Sequence, residues 1–262
     1  MKPTIIIQAR TGSTRLPNKM TKPFYNGKSV LDILLDRLNS ERDNLYVSDI
    51  VVATTNKKED DAIELIANEH SIKAYRGSES DVLQRFIDTA EYYNANRIIR
   101  ICADNVFLDI ESLRFLSIVL SEVDYDYVSF KTSYGKPSIL THYGFFAEGV
   151  RLDTLKKVCS QTAETRYHEH VTNYIYNRQN QFRTLLFPME SMIKGIEEYP
   201  DLRLTLDTIE DFKIQQKLYS ELESEGLSNS PKTIIEYIDT RYPEIYEKMR
   251  ENIKVNTKLL SK

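Results

Sequence analysis

Thr4-Ile5-Ile6-Ile7-Gln8-Ala9-Arg10-Thr11-Gly12-Ser13-Thr14-Arg15-Leu16-Pro17-Asn18-Lys19 joins two contrasting halves. The first is a short β-branched apolar run, which predicts a buried strand. The second has Gly, Ser, two Arg and a Lys without apolar periodicity. A strand running into a small-residue basic loop can hold a polyphosphate: backbone N–H groups converge on the oxygens while Arg and Lys neutralise charge. The same stretch also reads as a solvated loop. It is neither a G-x-x-x-x-G-K-[ST] nor a G-x-G-x-x-G motif, so the P-loop and dinucleotide readings lose support.

Downstream, apolar runs and helical periodicities alternate. Ser29–Leu38 predicts a helix with Leu31, Leu34, Leu35 and Leu38 on one face and Ser29 as its cap. Strands are predicted at 49–54, 72–75 and 96–102, with helices at 59–69 and 81–93. This β-α-β-α-β-α-β order predicts an α/β fold with a mainly parallel sheet and helices on both faces. Ligands of such sheets sit at the carboxyl ends of the strands. The loops after Ile7, Thr54, Tyr75 and Cys102 thus share one edge.

Beyond Cys102 the pattern changes. Strands are predicted at 126–130 and 182–187, and a returning strand at 145–150. A helix is predicted at 152–159, and 168–176 is ambiguous between helix and strand. Asp201–Leu206 alternates with period two and predicts a strand. Asp211–Glu223 predicts a helix, Ser230-Pro231 starts a last helical region, and the tail from Lys254 is polar and expected to fray. No internal repeat or linker divides the chain.

Composition sets limits. The 262 residues carry a net charge of −4, with 41% hydrophobic and 28% charged residues, which fits a globular protein and gives no electrostatic case for nucleic acid. Cys102 and Cys159 lie far apart and form no disulfide framework, as in a reducing compartment. No run approaches eighteen apolar residues, so no membrane span is expected. The chain opens on a strand rather than a signal-like segment, so the cytoplasm is the default expectation.

Two carboxylates stand at predicted strand ends: Asp104 after the fourth strand and Asp207 after the period-two strand. If those strands run the same way, the pair can share a divalent cation, since Mg²⁺ takes one or two carboxylates plus phosphate oxygens and water. Each Asp also reads as a helix cap or Asx-turn. In Arg76–Arg85, Ser78 or Ser80 can cap the next helix, Gly77 permits a close approach, and the arginines suit phosphate, base or an internal carboxylate equally. His168-Glu169-His170 splays its imidazoles and has no third ligand nearby. It therefore argues against zinc and for substrate carboxylate recognition or a subunit contact. No nucleophile elbow is present.

Ile5–Lys19 resembles the opening signature of the cytidylyltransferase family, which includes the acylneuraminate and KDO cytidylyltransferases. It is most similar to the spore-coat polysaccharide cytidylyltransferase-like branch. Val51–Asn56 with Asp60-Asp61, Arg76–Arg85, Arg100–Asp109, Glu169–Thr172 and Asp201–Asp211 resemble that branch in the same order, covering about residues 4 to 220. Ala103-Asp104-Asn105-Val106-Phe107 stands where the branch reads Gly-Asp-Cys-Pro-Leu, and the Asp is kept.

The resemblance implies a Rossmann-like nucleotide-diphosphosugar transferase fold with a small inserted acceptor and dimerisation region. Residues 1–225 would form the nucleotidyltransferase domain, with the insert at about 125–200, and residues 226–262 a C-terminal helical extension. It implies CTP, Mg²⁺ (with Mn²⁺ as substitute), an acidic or phosphorylated sugar acceptor and a homodimer. Gln8, Ala9, Arg10, Gly12, Ser13, Arg15 and Lys19 would hold the triphosphate. Asp104 and Asp207 would hold the metal, and Thr54, Arg76, Ser78 and Asp81 would lie near cytosine and ribose. Arg15, Lys19 and Asp104 would be catalytic. Glu148, His168, Glu169 and His170 would serve the acceptor side. A glycosyltransferase of the same fold using a preformed nucleotide-sugar is the alternative activity, and a non-catalytic nucleotide-binding protein is the second.

Overall fold

Three consecutive isoleucines can all be buried only in a strand covered on both faces, and that is where they lie. The computed structural model describes residues 1–260, with side chains through residue 255. β1 (Thr4–Gln8) has a parallel strand on each side, and Ile5, Ile6 and Ile7 have no exposed surface. Ile5 and Ile7 join one apolar cluster and Ile6 the other, as the two-residue period of a strand dictates. Truncating one of them would cost about 2–5 kcal/mol.

A hairpin follows, β2 (Pro23–Tyr25) and β3 (Lys28–Ser29), and then α1 (Val30–Ser40). Ser29 caps α1 in a reciprocal box with Asp32, the expected cap. Next come β4 (Asp49–Thr55), α2 (Asp61–Glu69), β5 (Lys73–Gly77), α3 (Val82–Tyr92) and β6 (Arg97–Cys102). The α3 cap is Asp81, not Ser78 or Ser80. Ser78 instead accepts from the Asp81 N–H at 3.0 Å.

The second half adds α4 (Ile110–Glu122), β7 (Tyr127–Lys131), β8 (Glu148–Arg151), α5 (Leu152–Gln161), α6 (Thr165–Glu169), α7 (Asn173–Tyr176) and β9 (Thr184–Pro188). α8 (Ile209–Ser224), α9 (Pro231–Arg241) and α10 (Pro243–Leu260) close the chain. The seven-stranded sheet has the order β5-β4-β1-β6-β8-β7-β9, and only β8 runs antiparallel to its neighbours. Residues of α1, α4, α8, α9 and α10 fill one face, and residues of α3, α5, α6 and α7 the other.

The sequence expectation fails in three places. Asp201–Leu206 joins no sheet although its leucines are buried; the Leu204 and Thr205 N–H groups both donate to the His142 carbonyl. Alternating apolar residues report burial, not a partner strand. Gly144 permits this approach: its φ is +68°, and a Cβ there would sit 2.5 Å from the Leu204 oxygen. Residues 168–176, open between helix and strand in the sequence and not one of the three, hold parts of two short helices. The returning strand is only Glu148–Arg151. The expected tail from Lys254 continues α10 through Leu260, and the rest of it lies outside the described residues.

Candidate active site

The basic loop is tied down by one buried carboxylate. Asp60, 2% exposed, accepts from the Thr11 N–H at 2.7 Å and the Thr11 hydroxyl at 2.6 Å, and its second oxygen accepts from the Thr55 hydroxyl. Burial alone would raise this carboxyl's pKa. The bonds from Thr11 and Thr55 outweigh it and hold the group below its ordinary value. The Thr11 carbonyl then accepts from Ser13 and Asn18, curling the chain. The Ala9 N–H is used by the sheet, donating to Ala53, whereas the N–H groups of Gly12, Thr14 and Arg15 have no acceptor among the described residues.

Lys19 Nζ lies 2.6 Å from Asp104 Oδ2 and 2.7 Å from the Leu206 carbonyl. Arg15 donates to Asp207 Oδ1 at 2.7 Å. Arg203, 2% exposed, donates to Asp207 Oδ2 at 3.0 Å and grips Asp211 through Nε at 2.7 Å. Asp211 also closes the capping box of α8 with Thr208. Asp207 is thus carried on a rigid helix start. Beside Arg203, burial first and the guanidinium second keep the His142 pKa down.

Arg15, Lys19, Asp104 and Asp207 line one cavity of about 510 Å³ at the carboxyl ends of β1 and β6. Of the other residues singled out in the sequence, Gln8, Arg10, Ser13, Glu169 and His170 line it too. Arg100 and Cys102 form its floor, Thr172 and Tyr176 one wall, and Ile139 and Leu140 an apolar lip. Burial pushes the Cys102 thiol up to about 11, so it stays neutral. A larger groove of about 820 Å³ between α8 and α10 is lined mainly by isoleucines, lysines and glutamates and lacks both aspartates.

The other predicted residues do not line the cavity. Arg76 spends its guanidinium on the Thr55 and Lys57 carbonyls, Asp61 and Glu64. Asp81 caps α3 and bonds His168 Nδ1 at 2.8 Å, while His168 Nε2 meets the Thr162 carbonyl. Thr54 is fully buried and its hydroxyl has no partner among the described residues. Glu148 lies beneath the floor, 2% exposed, with partners on both oxygens. Arg76, Asp81, Glu148 and His168 thus spend their polar groups on partners within the protein.

Sequence reasoning misses Asp60, Arg100 and Arg203. The available signal is the same for Arg100 and Arg203: a charge inside an otherwise apolar extended run, which a fold keeps buried only with partners.

The mainly parallel α/β sheet has a nucleotide-diphospho-sugar transferase-like fold, with a basic loop and two aspartates lining one cavity. Residues 4–240 match the cytidylyltransferase family model, and the chain belongs to that family. It is 36% identical over 245 residues to the uncharacterized protein MJ1063 of Methanocaldococcus jannaschii, covering 94% of this chain and 93% of that one. It is 34% identical over 221 residues to the spore coat polysaccharide biosynthesis protein SpsF of Bacillus subtilis, covering 82% and 85%. A solved cytidylyltransferase from Leptospira borgpetersenii serovar Hardjo-bovis superposes with a TM-score of 0.78 at 30% identity, covering 94% and 97%. Among the described residues no helix is long and apolar enough to cross a membrane.

Proposed function

We propose that the protein transfers the CMP moiety of CTP to an acidic sugar or sugar phosphate, releasing pyrophosphate, in the synthesis of a surface polysaccharide or glycan. The observation that carries this reading is the convergence of Arg15, Lys19, Asp104 and Asp207 on one cavity beside the clamped loop. The SpsF relative supports the polysaccharide assignment.

The donor set fits Mg²⁺. Asp104 and Asp207 each offer hard carboxylate oxygens to the same cavity. Mg²⁺ suits such a pair because phosphate and water complete its shell. When bound between these carboxylates, it would neutralise phosphate charge.

The acceptor oxygen attacks the α-phosphorus, and the bond from that phosphorus to the bridging oxygen of the β-phosphate breaks. Little covalent work falls to the protein, so positioning and charge dominate. Arg10, Ser13 and the unpartnered N–H groups of the loop would cradle the triphosphate. Lys19 and Arg15 would exchange their aspartate partners for phosphate oxygens and hold the leaving pyrophosphate. Gln8, Glu169 and His170 would face the acceptor.

The test is a coupled pyrophosphate assay with the four nucleoside triphosphates, Mg²⁺ and a panel of sugar acids and sugar phosphates. The expected result is release with CTP and an acidic acceptor. Silence throughout, with binding only of preformed CMP-sugars, would support the glycosyltransferase alternative instead.

A further inference from the structure

Asp201–Leu206 leads into Asp207 at the cavity but has no partner strand. Its backbone N–H groups must find acceptors elsewhere. Leu202 donates to the Tyr199 carbonyl, and Leu204 and Thr205 to that of His142. The N–H groups of Asp201 and Arg203 go to side chains of α10: the Tyr246 hydroxyl at 3.2 Å and the Met249 sulfur at 3.5 Å. Arg250 adds an ion pair to Asp201 at 2.9 Å. The last helix of the chain stands where a sheet would supply a neighbouring strand.

The inward face of α10 breaks its own pattern at one position. Ile245 and Met249 are buried and pack in the apolar core. The next residue on that face, seven after Ile245, is Asn252. A leucine would continue the apolar stripe. The amide nitrogen of Asn252 instead donates to Asp211 Oδ1 at 2.5 Å and to the Thr208 hydroxyl at 3.1 Å, the two residues that form the capping box of α8.

From Asp211 the bonds lead to the cavity. Its Oδ1 also accepts from Arg203 Nε at 2.7 Å. Its Oδ2 accepts from Arg203 Nη2 at 3.0 Å and from the N–H groups of Asp207 and Thr208 at 3.0 and 2.9 Å. Arg203 Nη2 is shared with Asp207 Oδ2, and Nη1 meets His142 Nδ1 at 2.8 Å. Asp207 is therefore held from behind by one oxygen, while the other is met by Arg15 from the cavity. The partners that orient a metal-binding carboxylate matter to the metal almost as much as the ligands do.

On the cytidylyltransferase reading, with Mg²⁺ at Asp207, we infer that Asn252 is a positioning residue for the metal carboxylate. It fixes Asp211, Asp211 fixes the Arg203 guanidinium, and Arg203 holds Asp207 Oδ2 so that Oδ1 is left for the ion. α10 acts on the site from behind, since none of its described residues lines the cavity.

The experiment measures CTP affinity of the full chain by calorimetry, once in EDTA and once with excess Mg²⁺. The ratio of the two is the gain that the metal confers. Thermal midpoints confirm that each variant is folded at the assay temperature. Asn252→Leu matches the amide in shape, and Asn252→Ala is the second variant, free of any crowding. Tyr246→Phe removes the hydroxyl that Asp201 uses and loosens the same helix at another contact. Both Asn252 variants should cut the metal-conferred gain roughly 10- to 100-fold while metal-free CTP affinity stays within about threefold. Tyr246→Phe should leave both quantities within about threefold. An unchanged gain in the Asn252 variants, an equal loss in Tyr246→Phe, or a matching fall in metal-free CTP affinity would overturn the inference. A wild type that binds CTP no better with Mg²⁺ than without it would instead overturn the metal reading beneath it.

Discussion

Lys19 Nζ and Asp104 Oδ2 stand 2.6 Å apart, and the same ammonium reaches the Leu206 carbonyl at 2.7 Å. One side chain from the loop after β1 thus joins the end of β6 to the segment that enters α8. It also occupies the carboxylate that the proposed metal needs. Mg²⁺ alone should therefore bind the protein weakly, and together with CTP much more tightly, because phosphate draws Lys19 away. Calorimetric titration with and without CTP checks this. Lys19→Met should unmask nucleotide-independent Mg²⁺ binding while lowering kcat at least about 100-fold; equal Mg²⁺ affinity in both proteins would contradict it.

Asp207 and Arg203 separate chemistry from folding. Asp207 is partly exposed at the cavity, and its loss leaves the Arg203–Asp211 pair in place. Asp207→Asn should lower kcat about 100- to 1000-fold with little change in thermal midpoint. Arg203→Met strands a buried Asp211 and should cost about 3–5 kcal/mol in urea unfolding. Full activity in the first variant, or unchanged stability in the second, would refute these roles.

Asp60 is the anchor of the loop. Asp60→Ala orphans the Thr11 and Thr55 donors and should cost about 3 kcal/mol while weakening CTP binding. The carboxyl's folded pKa is depressed below its ordinary 3.8. Its contribution is therefore fully present above that value and is lost as pH falls through the folded pKa. Urea unfolding of wild type and variant should converge at the acid end. A gap that widens on acidification would reverse the sign.

His168 ties α6 to Asp81 at the start of α3. Burial alone would lower its pKa, but the Thr162 carbonyl and Asp81 raise it above 6.5. Its stabilisation is thus full below pH 6.5 and is lost as pH rises through the folded pKa. The stability gap between wild type and His168→Gln should be larger at about pH 6 than at about pH 8.5. His142, shifted the opposite way, is common to both proteins and cancels.

The strands of the parallel half were legible because a doubly covered strand must be continuously apolar, as Ile5–Ile7 and Ile50–Ala53 are. The loop residues and Asp104 were legible because short polar motifs at strand ends face one edge in this topology, whereas Asp207 follows a segment that joins no sheet and reaches the cavity just before α8. α4 was not, since Ser112, Ser117 and Ser121 interrupt its apolar stripe while being buried themselves. The floor was not legible either: nothing local to Arg100 says that Glu148, forty-eight residues on, will lie opposite it. For the same reason nothing local to His168 or Asp81 says that the two are bonded to each other.

The central claim is transfer of CMP from CTP at the Lys19–Asp104–Asp207 edge. ³¹P NMR of the protein with Mg²⁺, CTP and the sugar acids of the panel tests it most directly. The account predicts a new phosphodiester signal from a CMP-linked sugar, growing in equal amount with pyrophosphate and absent in Asp207→Asn. CTP that stays intact with every sugar acid, or decays to CDP and orthophosphate, would contradict it.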